Sequence, residues 1–237
     1  MRHIPNFLTC CNLLAGVAGI LYMLESPVWQ EQPFQLNSIL FPAYFVWIAC
    51  VFDFVDGFAA RALKVHSAIG KELDSLADVV SFGVLPALFM YKIIEAGTGH
   101  SYLPYLGFSI AVFSALRLAK FNIDETQTDS FKGLPVPANA LFITGLPLLT
   151  RFSWSEIIFT PAGLSLITVV FSLLLVSRIN LFALKFKDFT WKSNKLRFTF
   201  LLLAVLLLAL FKFTALPLII ILYILLSLGN AALTKSN

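Results

Sequence analysis

An all-α, polytopic integral membrane protein of about eight transmembrane helices is what this sequence predicts, and three observations predict it. Of its 237 residues, 59% are hydrophobic and 13% charged, against about 25% charged in ordinary globular domains. Stretches free of Asp, Glu, Lys and Arg recur at 3–24, 32–52, 96–116, 133–150, 157–177 and 213–234, each close to the ~20 apolar residues that cross a bilayer as a helix. With the N-terminus put in the cytoplasm and the spans alternating, only Lys92, Arg151 and Lys212 of the 17 Lys and Arg residues fall outside, as the positive-inside rule requires. Both termini are then cytoplasmic. The composition excludes a soluble fold and intrinsic disorder. Cys10, Cys11 and Cys50 sit in apolar runs with no disulfide or zinc spacing. The net charge of +4 belongs to cytoplasmic loops, so no nucleic acid is expected as a partner.

The elements follow in order. The first helix, about 5–24, is read as retained rather than cleaved as a signal peptide behind Arg2, and Ala15 and Gly19 are small enough for close helix packing. The second and third, about 37–63 and 73–95, flank a short turn at 63–72 in which His66 is expected to be solvated. A fourth helix spans about 101–122. Pro135 and Pro137 open the fifth, about 135–151, after a bend that Gly133 permits, and the sixth covers about 157–177. The basic, aromatic loop 178–197, with Phe182, Phe186, Phe189 and Trp191, is expected to lie in the interface. Helices at about 196–212 and 213–231 form a C-terminal hairpin. Trp29, Trp47 and Trp154 fall near external ends, as an aromatic belt would have it. His3 and His100 read as interfacial. The chain is expected to be one membrane domain, 1–237, with its core at about 1–180.

The chemistry lies in "VFDFVDGFAARALKVHSAIGKELDSLADVVSFG". Asp53 and Asp56 are i and i+3, and Asp74 and Asp78 are i and i+4, so each pair shares one helix face. A carboxylate inside a membrane helix costs roughly 2.5–3.5 kcal/mol at the centre and less toward the interface. On neighbouring antiparallel helices the two pairs can face each other. They would then repel unless a cation sits between them or some are protonated. Hard divalent cations take oxygen ligands, and two ions about 3.5–4 Å apart could clamp a pyrophosphate. Gly57, Ala60 and Gly70 leave room for a ligand beside the acids, and Arg61 suits a phosphate. The competing reading pairs the acids with Arg61, Lys64 and Lys71 as ordinary interfacial charges.

The pattern Asp53-x2-Asp56-Gly57-x2-Ala60-Arg61-x8-Gly70-x3-Asp74-x3-Asp78 resembles the signature of the CDP-alcohol phosphatidyltransferases, with every motif position filled. "IPNFLTCCNLLAG", "DSLADVVSFGVLPA", "RLAKFNI" and "FKGLPVPANA" are similar to the phosphatidylserine synthase branch; the last 90 or so residues match only in being hydrophobic. The resemblance implies transfer of a phosphatidyl group from CDP-diacylglycerol to L-serine, giving phosphatidylserine and CMP. It implies that Asp53, Asp56 and Asp74 hold Mg²⁺ or Mn²⁺, two ions in all, with Asp78 completing the metal site and acting as the catalytic base. Gly57, Ala60, Arg61 and Gly70 would contact the CDP moiety, and Asn6, Thr9 and Asn12 would border the nucleotide. It further implies a homodimer in a bacterial inner membrane, among membrane lipids, and the charge-derived topology puts the site on the cytoplasmic face.

Ser81, Arg117, Lys120, Asn122 and Lys132 fall near the same level and are the candidates for holding serine, a guanidinium matching its carboxylate. Two other readings compete. The same chemistry could serve glycerol 3-phosphate or inositol phosphate, for which a denser basic cluster is expected. A cation transporter could use the acids as an ion site, but it should carry polar positions across the bilayer depth, whereas here they gather at one face.

Overall fold

In the computed structural model, residues 3–25, 36–65, 67–98, 101–124, 130–184 and 190–235 are described. Arg2, Trp29, His66, His100, Phe186 and Phe189 lie outside the described residues.

Helices fall where the apolar stretches put them. α1 covers Ile4–Glu25 and α2 Leu36–Ala62. α3, Ala68–Asp78, runs through a π-helical segment, Val79–Val84, into α4, Leu85–Thr98. A 3₁₀ turn, Leu103–Phe108, leads into α5, Ser109–Ile123. α6 is Val136–Gly145, α7 Pro161–Val176, α8 Trp191–Phe211 and α9 Ala215–Lys235. Two three-residue strands, β1 Ser130–Lys132 and β2 Asn180–Phe182, pair antiparallel with Phe131 opposite Leu181. Among the described residues, five stretches are long and apolar enough to cross a membrane: Ile4–Glu25, Leu40–Ala62, Ala68–Thr98, Leu103–Ile123 and Asn194–Ala231. The last is two helices, broken where Lys212 takes a positive φ of 52°. Pro161–Val176 is apolar but shorter, and α6 has only 10 residues.

Two starts differ from the sequence reading. α3 begins at Ala68 rather than about 73, because the Ser67 hydroxyl accepts the Gly70 N–H at 2.9 Å and caps the helix early. α8 begins at Trp191, with Asn194 in a non-helical conformation inside its first turn. The turn between α2 and α3 is shorter than expected for the same reason. It closes with Val65 N–H donating to Ala60 O and Lys64 N–H to Arg61 O, while Lys64 takes the left-handed conformation usually given to glycine.

α1 is the organiser. It packs against α2, α3 and the π segment, and its small face allows the close approach. A Cβ on Gly16 would lie 2.8 Å from Ser81 Cα, and one on Gly19 would lie 2.9 Å from Phe45 Cβ. The small pair that works is thus Gly16 with Gly19. Phe82, Leu85, Phe89, Met90, Ile94, Ile110, Ile143 and Leu146 fill the centre. Around it, Phe142 of α6 stacks on Phe171 of α7 at 3.8 Å, and Trp47 of α2 donates to the Thr144 hydroxyl at 3.2 Å. Phe7, Phe54, Leu202 and Leu210 are strongly exposed, the pattern of a bundle whose outer face meets lipid.

Candidate active site

Asp53 and Asp56 ride near the end of α2, Asp74 and Asp78 on α3. The tight α2–α3 turn brings both acidic faces to the same end of the bundle. Asp53, Asp56 and Asp74 each offer a carboxylate oxygen within 4.8 Å of the others. Asp56 is buried and the other two half-buried. Among the described residues, ion pairs join only Lys92 to Glu95 and Lys132 to Asp124, so none of these residues forms an ion pair with Asp53, Asp56 or Asp74. Lys71 instead donates to the Asn122 carbonyl at 2.8 Å, which removes the reading of the acids as ordinary paired interfacial charges.

α1 supplies the supports. The Thr9 hydroxyl donates to Asp56 Oδ2 at 2.7 Å, and the Asn12 amide donates to Asp78 Oδ1 at 3.2 Å. Asp78 is buried and stands outside the three-acid cluster. Asp74 Oδ1 and Asn12 Oδ1 are buried with no hydrogen-bond partner. An orphaned buried carboxylate oxygen within a cluster of hard oxygen donors fits a divalent cation.

A cavity of about 480 Å³ opens beside the acids, lined by Asn6, Thr9, Asp56, Gly57, Ala60, Gly70 and Asp74 among others. A Cβ on Gly70 would lie 2.9 Å from Asn6 Oδ1, so glycine there keeps the wall open. Arg61 is exposed, and one of its terminal nitrogens lies 3.4 Å from where a Gly57 Cβ would sit. The lining thus combines the carboxylates of Asp56 and Asp74 with glycine at positions 57 and 70.

With that geometry in hand, comparison with known proteins is decisive. A family model described as CDP-alcohol phosphatidyltransferase matches residues 2–229. The chain belongs to the CDP-alcohol phosphatidyltransferase family. It is 31% identical over 183 residues to the CDP-diacylglycerol–serine O-phosphatidyltransferase of Bacillus subtilis, covering 76% of this chain and 89% of that protein. It is 32% identical over 166 residues to the enzyme of that name from Methanocaldococcus jannaschii, covering 70% and 71%. With the one from Mycobacterium leprae it shares 33% over 187 residues, spanning 76% of this chain and 58% of that one. The family match reaches well past residue 140, into the C-terminal helices that the motif comparison left as merely hydrophobic.

The acceptor candidates divide. Arg117, Lys120 and Lys132 line a second cavity of about 190 Å³ with Phe121, Asp124, Leu175, Val176, Ser177 and Arg178. Arg117 is buried, its guanidinium lies 5.5 Å from the Phe121 ring, and its Nε has no partner. Lys132 pairs with Asp124 at 2.9 Å. Ser81 lines neither cavity. It is buried in the π segment and donates to the Asn12 carbonyl at 3.0 Å, joining α1 to the helix it crosses. Asn122 donates to the Ser75 hydroxyl at 2.8 Å, tying α5 to α3. In the sequence Arg178 reads only as part of the basic loop 178–197 and not as an acceptor candidate, because it stands 61 positions past Arg117. It arrives through the bend at Gly133, whose φ is +78° and whose N–H donates to Ile179 O. A side chain on Gly133 would strike the Leu175 carbonyl.

Proposed function

We propose that the chain transfers the phosphatidyl group of CDP-diacylglycerol to the hydroxyl of L-serine, giving phosphatidylserine and CMP. One observation carries the reading: three carboxylates converge within 4.8 Å with no ion pair to them among the described residues, and two of them line a cavity with Gly57, Ala60 and Gly70. The named activity of the relatives supplies the substrates.

Each residue has a part. A divalent cation held by Asp53, Asp56 and Asp74, Mg²⁺ or Mn²⁺, would neutralise charge on the diphosphate and on the departing CMP. Gly57, Ala60 and Gly70 let the nucleotide approach the helix backbone, with Asn6 beside it. Arg61 reaches a phosphate oxygen from the rim. Thr9 holds Asp56 in one orientation, and Asn12 holds Asp78. A serine hydroxyl is a poor nucleophile near neutral pH, so its proton must leave as attack proceeds. Asp78 takes that proton. The serine oxygen forms its bond to the β-phosphorus of the lipid, the bond from that phosphorus to the bridging oxygen breaks, and CMP leaves. Arg117 holds the serine carboxylate, with Lys120, Lys132 and Arg178 drawing it in.

Support for the setting comes from the five apolar stretches and the charge asymmetry. The eight helical segments cross a bacterial inner membrane with both termini and the site on the cytoplasmic side. The chain acts as one domain and pairs as a homodimer among membrane lipids. A second reading has one observation in its favour: the four cations around the smaller cavity also suit an acceptor bearing phosphate. The test is CMP release by purified protein given CDP-diacylglycerol and Mg²⁺ or Mn²⁺ with L-serine, glycerol 3-phosphate or inositol phosphate. Release with serine alone is expected. Release with a phosphorylated alcohol alone overturns the acceptor, and no release with any acceptor overturns the reading.

A further inference from the structure

Asn139 is completely buried, at 0% exposure, and both its carbonyl oxygen and its amide nitrogen lack any hydrogen-bond partner. A buried amide orphaned at both ends is costly and calls for an explanation. Its direction can be read from the neighbours of α6. Thr144 faces α2 through Trp47, Gly145 abuts Pro217 of α9, and Phe142 stacks on α7. At about 100° per residue, Asn139 lies about 140° from Thr144, 120° from Gly145 and 60° from Phe142. It therefore lies on the side of α6 away from α2 and α9, where α7, the π segment, α4 and α5 are the remaining neighbours. α5 also touches α6 and carries a second buried, unpartnered group. A Cβ on Gly83 of the π segment would lie 3.2 Å from Ser114 Cβ, and the buried Ser114 hydroxyl is also unpartnered. One turn further along α5 is Arg117, with its own orphaned Nε.

We propose that Asn139 and Ser114 complete the acceptor site and select an α-amino acid, the amide carbonyl accepting from the α-ammonium while the amide N–H and the Ser114 hydroxyl donate to the carboxylate that Arg117 holds. One amide offering an acceptor and a donor side by side complements a zwitterion, whose ammonium and carboxylate sit on one carbon. A phosphorylated alcohol has no cation for the amide carbonyl. This rests on the serine-transfer reading and names what gives it its specificity.

The test compares L-serine with 3-hydroxypropionate, which lacks the ammonium, and with ethanolamine, which lacks the carboxylate. In Asn139→Leu, KM for serine rises about tenfold or more, KM for CDP-diacylglycerol holds, and the preference for serine over 3-hydroxypropionate falls by a similar factor. The thermal midpoint does not fall, because an isosteric apolar side chain replaces an unpaired amide. Asn139→Asp keeps an acceptor but repels a carboxylate, so preference moves toward ethanolamine; with Ser114→Ala, which raises KM for serine, it serves if the leucine variant does not fold. Unchanged selectivity in the variants, or a lowered midpoint with unchanged KM, overturns the inference. No serine-dependent CMP release by the unaltered protein overturns the underlying reading instead.

Discussion

Replacing Thr9 by valine should weaken divalent-cation binding while leaving the bundle intact. Valine keeps the branched shape of threonine and removes only the hydroxyl. That hydroxyl is buried and lies 2.7 Å from Asp56 Oδ2, within the range of a charge-assisted O–H···O⁻ bond. Hydrogen bonds to charged groups contribute about 1.5–3 kcal/mol. Groups that orient a metal ligand typically contribute tenfold to a hundredfold in affinity, which is about 1.4–2.7 kcal/mol. The two estimates agree, so the Mg²⁺ or Mn²⁺ concentration for half-maximal CMP release should rise by about one to two orders of magnitude. Because the ligands themselves remain, saturating metal should restore most of the turnover. The assay is a metal titration of CMP release by Thr9→Val beside the unaltered protein. An unchanged metal midpoint, or a loss that no metal concentration relieves, would refute the idea that α1 orients Asp56 as a ligand.

Three further outcomes are expected. Asp78→Asn should cut turnover by about 10²–10⁴-fold while cation binding, carried by Asp53, Asp56 and Asp74, persists; retained turnover would remove it as the base. Gly70→Ala should leave stability almost unchanged, since displacing the Ser67 cap and gaining helix propensity each amount to about 1 kcal/mol with opposite sign. Its KM for CDP-diacylglycerol should rise several-fold, because the new Cβ, 2.9 Å from Asn6 Oδ1, pushes Asn6 off the cavity wall; an unchanged KM would argue against that wall binding nucleotide. Gly16→Ala should lower the thermal midpoint, as overpacking against the Ser81 backbone costs about 1–3 kcal/mol; an unaltered midpoint would contradict the close α1 crossing.

Helices were legible in the sequence because membrane spans are long, apolar runs whose ends carry charge, and the acids were legible because i, i+3 and i, i+4 spacing fixes a shared helix face. What α1 does was not legible in spacing. Thr9 and Asn12 meet acids 47 and 66 positions away, and only the family resemblance pointed to them. The π segment after Asp78 has no periodic signature, since a single wide turn alters one hydrogen-bond ring and leaves composition untouched. Asn139 gave no signal in the sequence, because orphaned hydrogen-bonding atoms exist only once neighbours are in place. Gly16 was passed over for Ala15 because the crossing point depends on which residue meets Ser81, and that is set by the partner helix.

The central claim is that Asp53, Asp56 and Asp74 together grip divalent cations. Electron paramagnetic resonance of Mn²⁺ added to the purified protein tests it directly. The free-ion signal should be lost on binding, and Asp74→Asn, with its fold verified, should restore much of it. A free-ion signal unchanged by the unaltered protein, or binding equally strong in Asp74→Asn, would contradict it.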